Sequence, residues 1–364
     1  MTDDMLQQSL RQDCLTSLAR QPTLSARLAE HRIALIGGTG FIGSWIAESI
    51  TALNDIYGSS VRLDLFGRSA TSWTIANPHL YGRADVRVLP LDVRSTFELP
   101  RDTTLVLFAA GVADPRVQAS DPLRVHETAL QGIGHALAAT SRLDQLQRFV
   151  NLSSGLVLGV QPHNCALTES EIGVLDFTRI HNVYAESRRA AESLVSIYAS
   201  QYRIPVSTAR AFTFIGPYQP LDAPWAANNF MRDALLGNII RLHGDGATRR
   251  SYLYGSDAAC WLLKILIDGL DSEVYNVGGS VAITHAEFAV KVAARATPTP
   301  QLVYKSQPTS NRRCHDFYPD VSSVQAKLGL TQAIDINAAI DRSMLWHAYR
   351  LGELRHLRIA NESA

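Results

Sequence analysis

Ile33-Ala-Leu-Ile-Gly-Gly-Thr-Gly-Phe-Ile-Gly43 is an apolar run that breaks into glycines at Gly37, Gly40 and Gly43, and a helix-like stretch follows over residues 44–53. A buried parallel strand turning tightly into a helix has this form. Residues without a Cβ permit the turn, and they let backbone N–H groups and the positive helix end approach a pyrophosphate. Much further on, Tyr184-Ala-Glu-Ser-Arg188 places a phenol one helical turn before a fixed cation, on one helix face. Together the two stretches point to a nicotinamide dinucleotide with a tyrosine poised to move a proton.

Outward from the glycine turn, strand-like runs recur at 61–66, 86–91, 104–109, 148–152 and 206–210. Helical patterns fill most gaps, most clearly over 122–140 and 184–202. This alternation predicts an α/β fold, a doubly wound parallel sheet covered on both faces, with its ligand at the carboxyl ends of the strands. After about Ala211 the alternation loosens, and glycine, proline and aromatic residues increase. Residues 1–30 read as helical, with Leu6, Leu10, Leu15, Leu18, Leu24 and Leu28 marking a face that covers apolar surface.

Composition limits the partners. The chain has 364 residues, 46% of them hydrophobic, which is enough for a large core. Its 34 basic residues balance 34 acidic ones, so neither nucleic acid nor a membrane surface is an expected partner. The start, Met1-Thr-Asp-Asp-Met5, lacks the basic and apolar regions of a signal peptide. Cys14, Cys165, Cys260 and Cys314 are scattered without metal spacing, as reduced thiols in a cytoplasm would be. His126 and His181 likewise lack ligand spacing and read as structural, so no metal is expected.

Further motifs follow in order: Ser153-Ser154-Gly155, Glu192 after Tyr184, Arg210-Ala-Phe-Thr-Phe-Ile-Gly-Pro217, Gly244-Asp-Gly246 before Arg250-Ser-Tyr-Leu-Tyr254, and Tyr275-Asn-Val-Gly278. Over residues 31–347 the chain resembles the extended short-chain dehydrogenases, the nucleotide-sugar epimerases and dehydratases. Behind the helical N-terminal extension read from the leucine pattern (1–30), the resemblance implies a Rossmann domain for NAD(P) (31–210, with a returning strand near 273–279). A mainly substrate-binding domain for a nucleoside diphosphate sugar follows (211–350), and a homodimer is expected.

The resemblance also assigns roles. Gly37, Gly40 and Gly43, with Phe41 and Ile42, approach the pyrophosphate; Asp92 and Val93 lie near the adenine; Ala109, Ala110 and Gly111, small residues ending the fourth strand, let the backbone pass close to the cofactor. The second strand ends Phe66-Gly67-Arg68, where an NAD enzyme usually carries an acid for the ribose. Arg68 suits a 2′-phosphate while the family's habit is NAD, so either dinucleotide is open. Asp64 lies inside the strand and takes no ribose role. For catalysis the family uses a Ser or Thr, a Tyr and a Lys, matched here by Ser154, Tyr184 and Arg188. Arginine keeps the charge that favours a phenolate, but it is bulkier and does not release its proton. Thr213, Asn229, Arg250 and Arg313 fall at substrate-contacting positions.

Two departures bear on the reaction. Dehydratases and decarboxylases of this type carry an acid just after the catalytic Ser/Thr, whereas this chain has Gly155-Leu156; Leu158 stands where tyrosine is usual. A 4,6-dehydration needs that additional acid and base. The favoured reading is therefore epimerisation or 4-keto reduction. The alternatives are a 4,6-dehydratase, or a catalytically impaired NAD(P)-binding sensor or scaffold.

Overall fold

The computed structural model describes residues 2–159, 165–306 and 316–358. Helices α1 (Asp3–Leu18) and α2 (Leu24–Leu28) precede β1 (Arg32–Ile36), α3 (Phe41–Tyr57), β2 (Arg62–Gly67), α4 (Ala70–Ala76), α5 (Pro78–Tyr81), β3 (Val86–Pro90) and β4 (Leu105–Phe108). Next come α6 (Pro115–Ser120), α7 (Pro122–Thr140), β5 (Arg148–Ser154), α8 (Val183–Tyr202) and β6 (Val206–Ala211). The remainder comprises β7 (Phe214–Ile215), α9 (Ala226–Leu235), β8 (Ile240–Leu242), β9 (Arg249–Ser251), β10 (Leu253–Tyr254), α10 (Gly255–Asp268) and β11 (Glu273–Val277). It ends with β12 (Ala282–Thr284), α11 (His285–Ala293), β13 (Leu302–Tyr304), α12 (Ser322–Leu328) and α13 (Ile336–Leu351).

Residues 33–36 of β1 and all of β4 are buried, as strands covered by helices on both faces must be. Seven strands form one sheet in the order β11-β6-β5-β4-β1-β2-β3, and every neighbouring pair is parallel. The chain winds from β1 to one side through β2 and β3, then crosses to β4 on the other. That reversal opens a crevice at the carboxyl ends of β1 and β4, the place where doubly wound sheets take their ligands. Short two-strand pairs, β7 with β10, β8 with β13 and β9 with β12, build the smaller part beyond β6.

Two details position the site. β5 runs two residues further than its apolar run suggests, because Ser153 and Ser154 pair with Arg210 and Ala211 of β6. Ser154 is thereby fixed at a strand end. The second detail is a half-buried ion pair: Glu192 of α8 receives two hydrogen bonds from the buried Arg210 of β6, at 2.8 and 3.1 Å. It locks the helix that carries Tyr184 onto the sheet.

At the amino end, α1 and α2 bury Leu6, Leu10, Cys14, Leu18, Leu24 and Leu28. Leu15 is only partly covered. The seam is also polar: Tyr254 donates to Asp13 at 2.7 Å, Arg342 pairs with Asp13 at 2.9 Å, and Ser17 bonds Ser256 at 2.8 Å. Among the described residues no helix is long and apolar enough to cross a membrane, and no group of three or more metal-ligating side chains gathers.

Candidate active site

The glycine turn is shaped by two different demands. Gly37 has φ +90°, and a Cβ there would stand 2.5 Å from the Ala110 nitrogen, so the turn must pass tightly over the end of β4. Gly43 sits on Gly38, leaving no room for a side chain. Gly40, the N-cap of α3, is different: only the Gly37 carbonyl lies near the place of a Cβ, at 3.7 Å. It contributes no side-chain cap to the first N–H groups of α3. An open approach to uncapped N–H groups at a helix start fits a dinucleotide pyrophosphate. Ile42 is buried, and Phe41 stacks toward Phe214 with ring centres 6.3 Å apart.

Tyr184 and Arg188 lie one turn apart on α8, with the guanidinium 5.5 Å from the phenol ring centre. Arg188 is buried and donates to the carbonyls of Ala110 at 3.1 Å and Leu152 at 3.3 Å. It therefore reaches the ends of β4 and β5 at once. Glycine turn, Ala109-Ala110, β5 end and Tyr184 helix are thus gathered at one edge of the sheet. Ser187 on the same helix bonds His126 of α7 at 2.9 Å, which gives that histidine a structural task.

Ser154 closes β5, and its Oγ accepts the Leu156 N–H at 3.2 Å, which leaves its own proton to donate. The residue after it has no space for a side chain. A Cβ on Gly155 would stand 2.6 Å from the ring of Phe212. That ring stacks on Phe317 at 4.7 Å, and the Arg250 guanidinium lies 5.5 Å over Phe317. An aromatic column thus runs from the Ser154 loop to Arg250. Leu158 is fully buried within it.

Arg250 is half-buried in β9, and that burial lowers its proton affinity. Burial, helped by Arg250, also pushes His285 down to about 4, so this imidazole is neutral at pH 7. Thr213 follows β6 with its carbonyl taken by the Leu253 N–H, and Asn229 is half-buried in the first turn of α9. Arg313 lies outside the described residues.

At the other end of the crevice, Arg68 follows β2 in an exposed position. Partial burial and the nearby Arg124 lower its proton affinity, with Asp92 opposing and Arg94 adding to them. Asp92 is engaged twice over by Arg94, which holds its carboxyl down to about 2. Val93 behind it is buried, its carbonyl accepting from His135 at 2.9 Å. Asp64 is buried between Arg32 and Arg87 inside β2, as its place in the strand predicted. Sequence reasoning did not assign a role to Phe212, Phe317 or His285. No local signal marks them, because their partners come from distant segments.

Comparison with known proteins agrees with this architecture. The NAD dependent epimerase/dehydratase family matches residues 33–278. Over 300 residues the chain is 25% identical to UDP-glucuronic acid decarboxylase 4 of Arabidopsis thaliana, with 82% of this chain covered. It spans 64% of the length of that relative. It is also 25% identical to dTDP-glucose 4,6-dehydratase of Streptomyces niveus, covering 87% of this chain and 92% of the relative. Among solved structures, UDP-glucuronic acid 4-epimerase from Bacillus cereus in complex with NAD superposes with a TM-score of 0.74 at 19% identity, over 87% of this chain and 96% of that one. With the family model matching residues 33–278 over the parallel sheet and the glycine turn, the chain belongs to the NAD dependent epimerase/dehydratase family.

Proposed function

We propose that this protein moves hydride at one carbon of a nucleoside diphosphate sugar, either by oxidising it and returning the hydride to the same sugar, as in 4-epimerisation, or by delivering hydride from NAD(P)H to a 4-keto sugar. The single observation that carries this choice is Gly155, whose missing side chain is replaced by the Phe212 ring. An acid directly after Ser154, which dehydration or decarboxylation would call on, has no place to stand. Relatives include a decarboxylase and a dehydratase by name, and those are the chemistries that the packing at Gly155 argues against here.

Bound NAD(P) supplies hydride acceptance and return. In our reading Gly37, Gly40, Gly43, Phe41 and Ile42 seat its pyrophosphate, Asp92 and Val93 border the adenine, and Ala109 and Ala110 let the chain pass close. Tyr184 takes the proton of the sugar hydroxyl, and Ser154 donates its free hydroxyl proton to the reacting oxygen. Arg188 supplies a buried positive charge beside the phenol. Arg250, with Thr213, Asn229 and Arg313, takes the nucleotide diphosphate of the substrate. Residues 31–210 with the strand near 273–279 would then hold cofactor and 211–350 mainly substrate, in a homodimer. Arg68 with Arg124 and Arg94 close by favours a 2′-phosphate and hence NADP alongside NAD.

Tyr184→Phe tests the assignment. Turnover should fall ~10²–10⁴-fold while dinucleotide affinity stays nearly unchanged, since only the proton-transferring oxygen is lost. Undiminished turnover in this variant would sink the proposed role.

A further inference from the structure

The guanidinium of Arg188 fills a space where a neighbouring side chain is missing. A Cβ on Gly111 would stand 1.8 Å from one terminal nitrogen of Arg188, and the three atoms nearest to that Cβ all belong to the guanidinium. Gly111 does not have a left-handed backbone, so any L-residue could adopt its torsions. The arginine head alone excludes a side chain. With that space available, the head bonds Ala110 at the end of β4 and Leu152 on β5. Arg188 is 4% exposed and makes no ion pair with a carboxylate among the described residues, so its charge meets main-chain carbonyls and the Tyr184 ring instead. Ala110 is also the residue on which Gly37 packs, so the same clamp reaches the glycine turn.

We propose that Gly111 is a positioning residue: it seats Arg188 across the ends of β4 and β5 and so fixes the cation beside Tyr184 and the glycine turn. The proposal rests on the reading of Tyr184 and Arg188 given above. It explains how an arginine stands one helical turn after the tyrosine: the bulk of a guanidinium is matched by the loss of a Cβ opposite. A lysine ammonium is a compact head on a flexible stem and does not need the vacated space. Because the obstructing atoms are the far end of a long side chain, Gly111→Ala moves the guanidinium and leaves the fold intact.

A cycle of four proteins tests this: the unmutated chain, Gly111→Ala, Arg188→Lys and the double variant. Turnover, KM for the nucleotide sugar, NADH affinity by fluorescence and the urea midpoint are measured for each. Gly111→Ala should lower turnover at least ~10-fold with little change in KM, yet cost less than ~2-fold when introduced into Arg188→Lys. Equal losses in both backgrounds, or no loss in either, would overturn the proposal. Should Gly111→Ala fail to fold, recovery of folding in the double variant supports the pairing, and failure of both overturns it. A chain without dinucleotide binding would defeat the functional reading by itself. The coupling would still be read from the urea midpoints, so the two failures are distinguishable.

Discussion

Gly40 needs no left-handed torsion and meets only the Gly37 carbonyl where a Cβ would stand, so nothing in the chain itself demands glycine there. Its demand comes from the ligand side. Gly40→Val should therefore fold with a loss of no more than ~1 kcal/mol at the N-cap, but fail to bind either NAD or NADP. In the same titration, Arg68→Ala should lose ~1.5–3 kcal/mol of NADP affinity and much less for NAD. Unchanged affinity in Gly40→Val removes the pyrophosphate reading, and equal losses in Arg68→Ala reduce that arginine to stacking on adenine. At this scale the sequence was readable wherever a residue's reason is local. The glycine turn, Ser154 at a strand end and the Tyr184–Arg188 spacing are of that kind. What fills the side-chain space of Gly111 and Gly155 was not legible, because those atoms come from Arg188 and Phe212, far away in sequence.

Elements were legible in proportion to the strength of their periodicity and their caps. α7 begins at Pro122, after Asp121 caps its first turn, and spans the residues its pattern predicts. The leucine pattern of residues 1–30 foretold covering helices, but the polar seam beneath α1 has no signature, since Tyr254 and Arg342 lie far away in sequence. That seam makes a pH prediction. Burial raises the Asp13 carboxyl from 3.8 to about 6, outweighing Arg342 and the Tyr254 hydroxyl. The fold thus favours protonated Asp13, whose contribution is full below the unfolded value and is lost as pH rises through about 6. Asp13→Asn removes this titration alone. The stability of the unmutated chain relative to Asp13→Asn should fall by up to about 3 kcal/mol between about pH 4 and about pH 7. Urea unfolding at the two pH values measures it, and a constant difference would mean that the seam is hydrated.

For the whole molecule, alternating strand and helix patterns were enough to predict a doubly wound parallel sheet, because parallel strands buried on both faces read as unbroken apolar runs. The smaller part was less legible: its strands are two or three residues long and pair across long separations. There the aromatic column of Phe212 and Phe317 forms, and it bears most on the reaction, since it closes the place of an acid after Ser154. At the scale of the whole molecule, the proposal is that hydride moves at one sugar carbon and no other bond of the sugar is broken. Incubating the protein with NAD(P)+ and a panel of nucleoside diphosphate sugars, or with NAD(P)H and their 4-keto forms, then identifying the products by NMR and mass, tests it most directly. The account predicts a product of unchanged mass and inverted configuration, or one heavier by two hydrogens from a keto sugar. A product lighter by water or by carbon dioxide would contradict it.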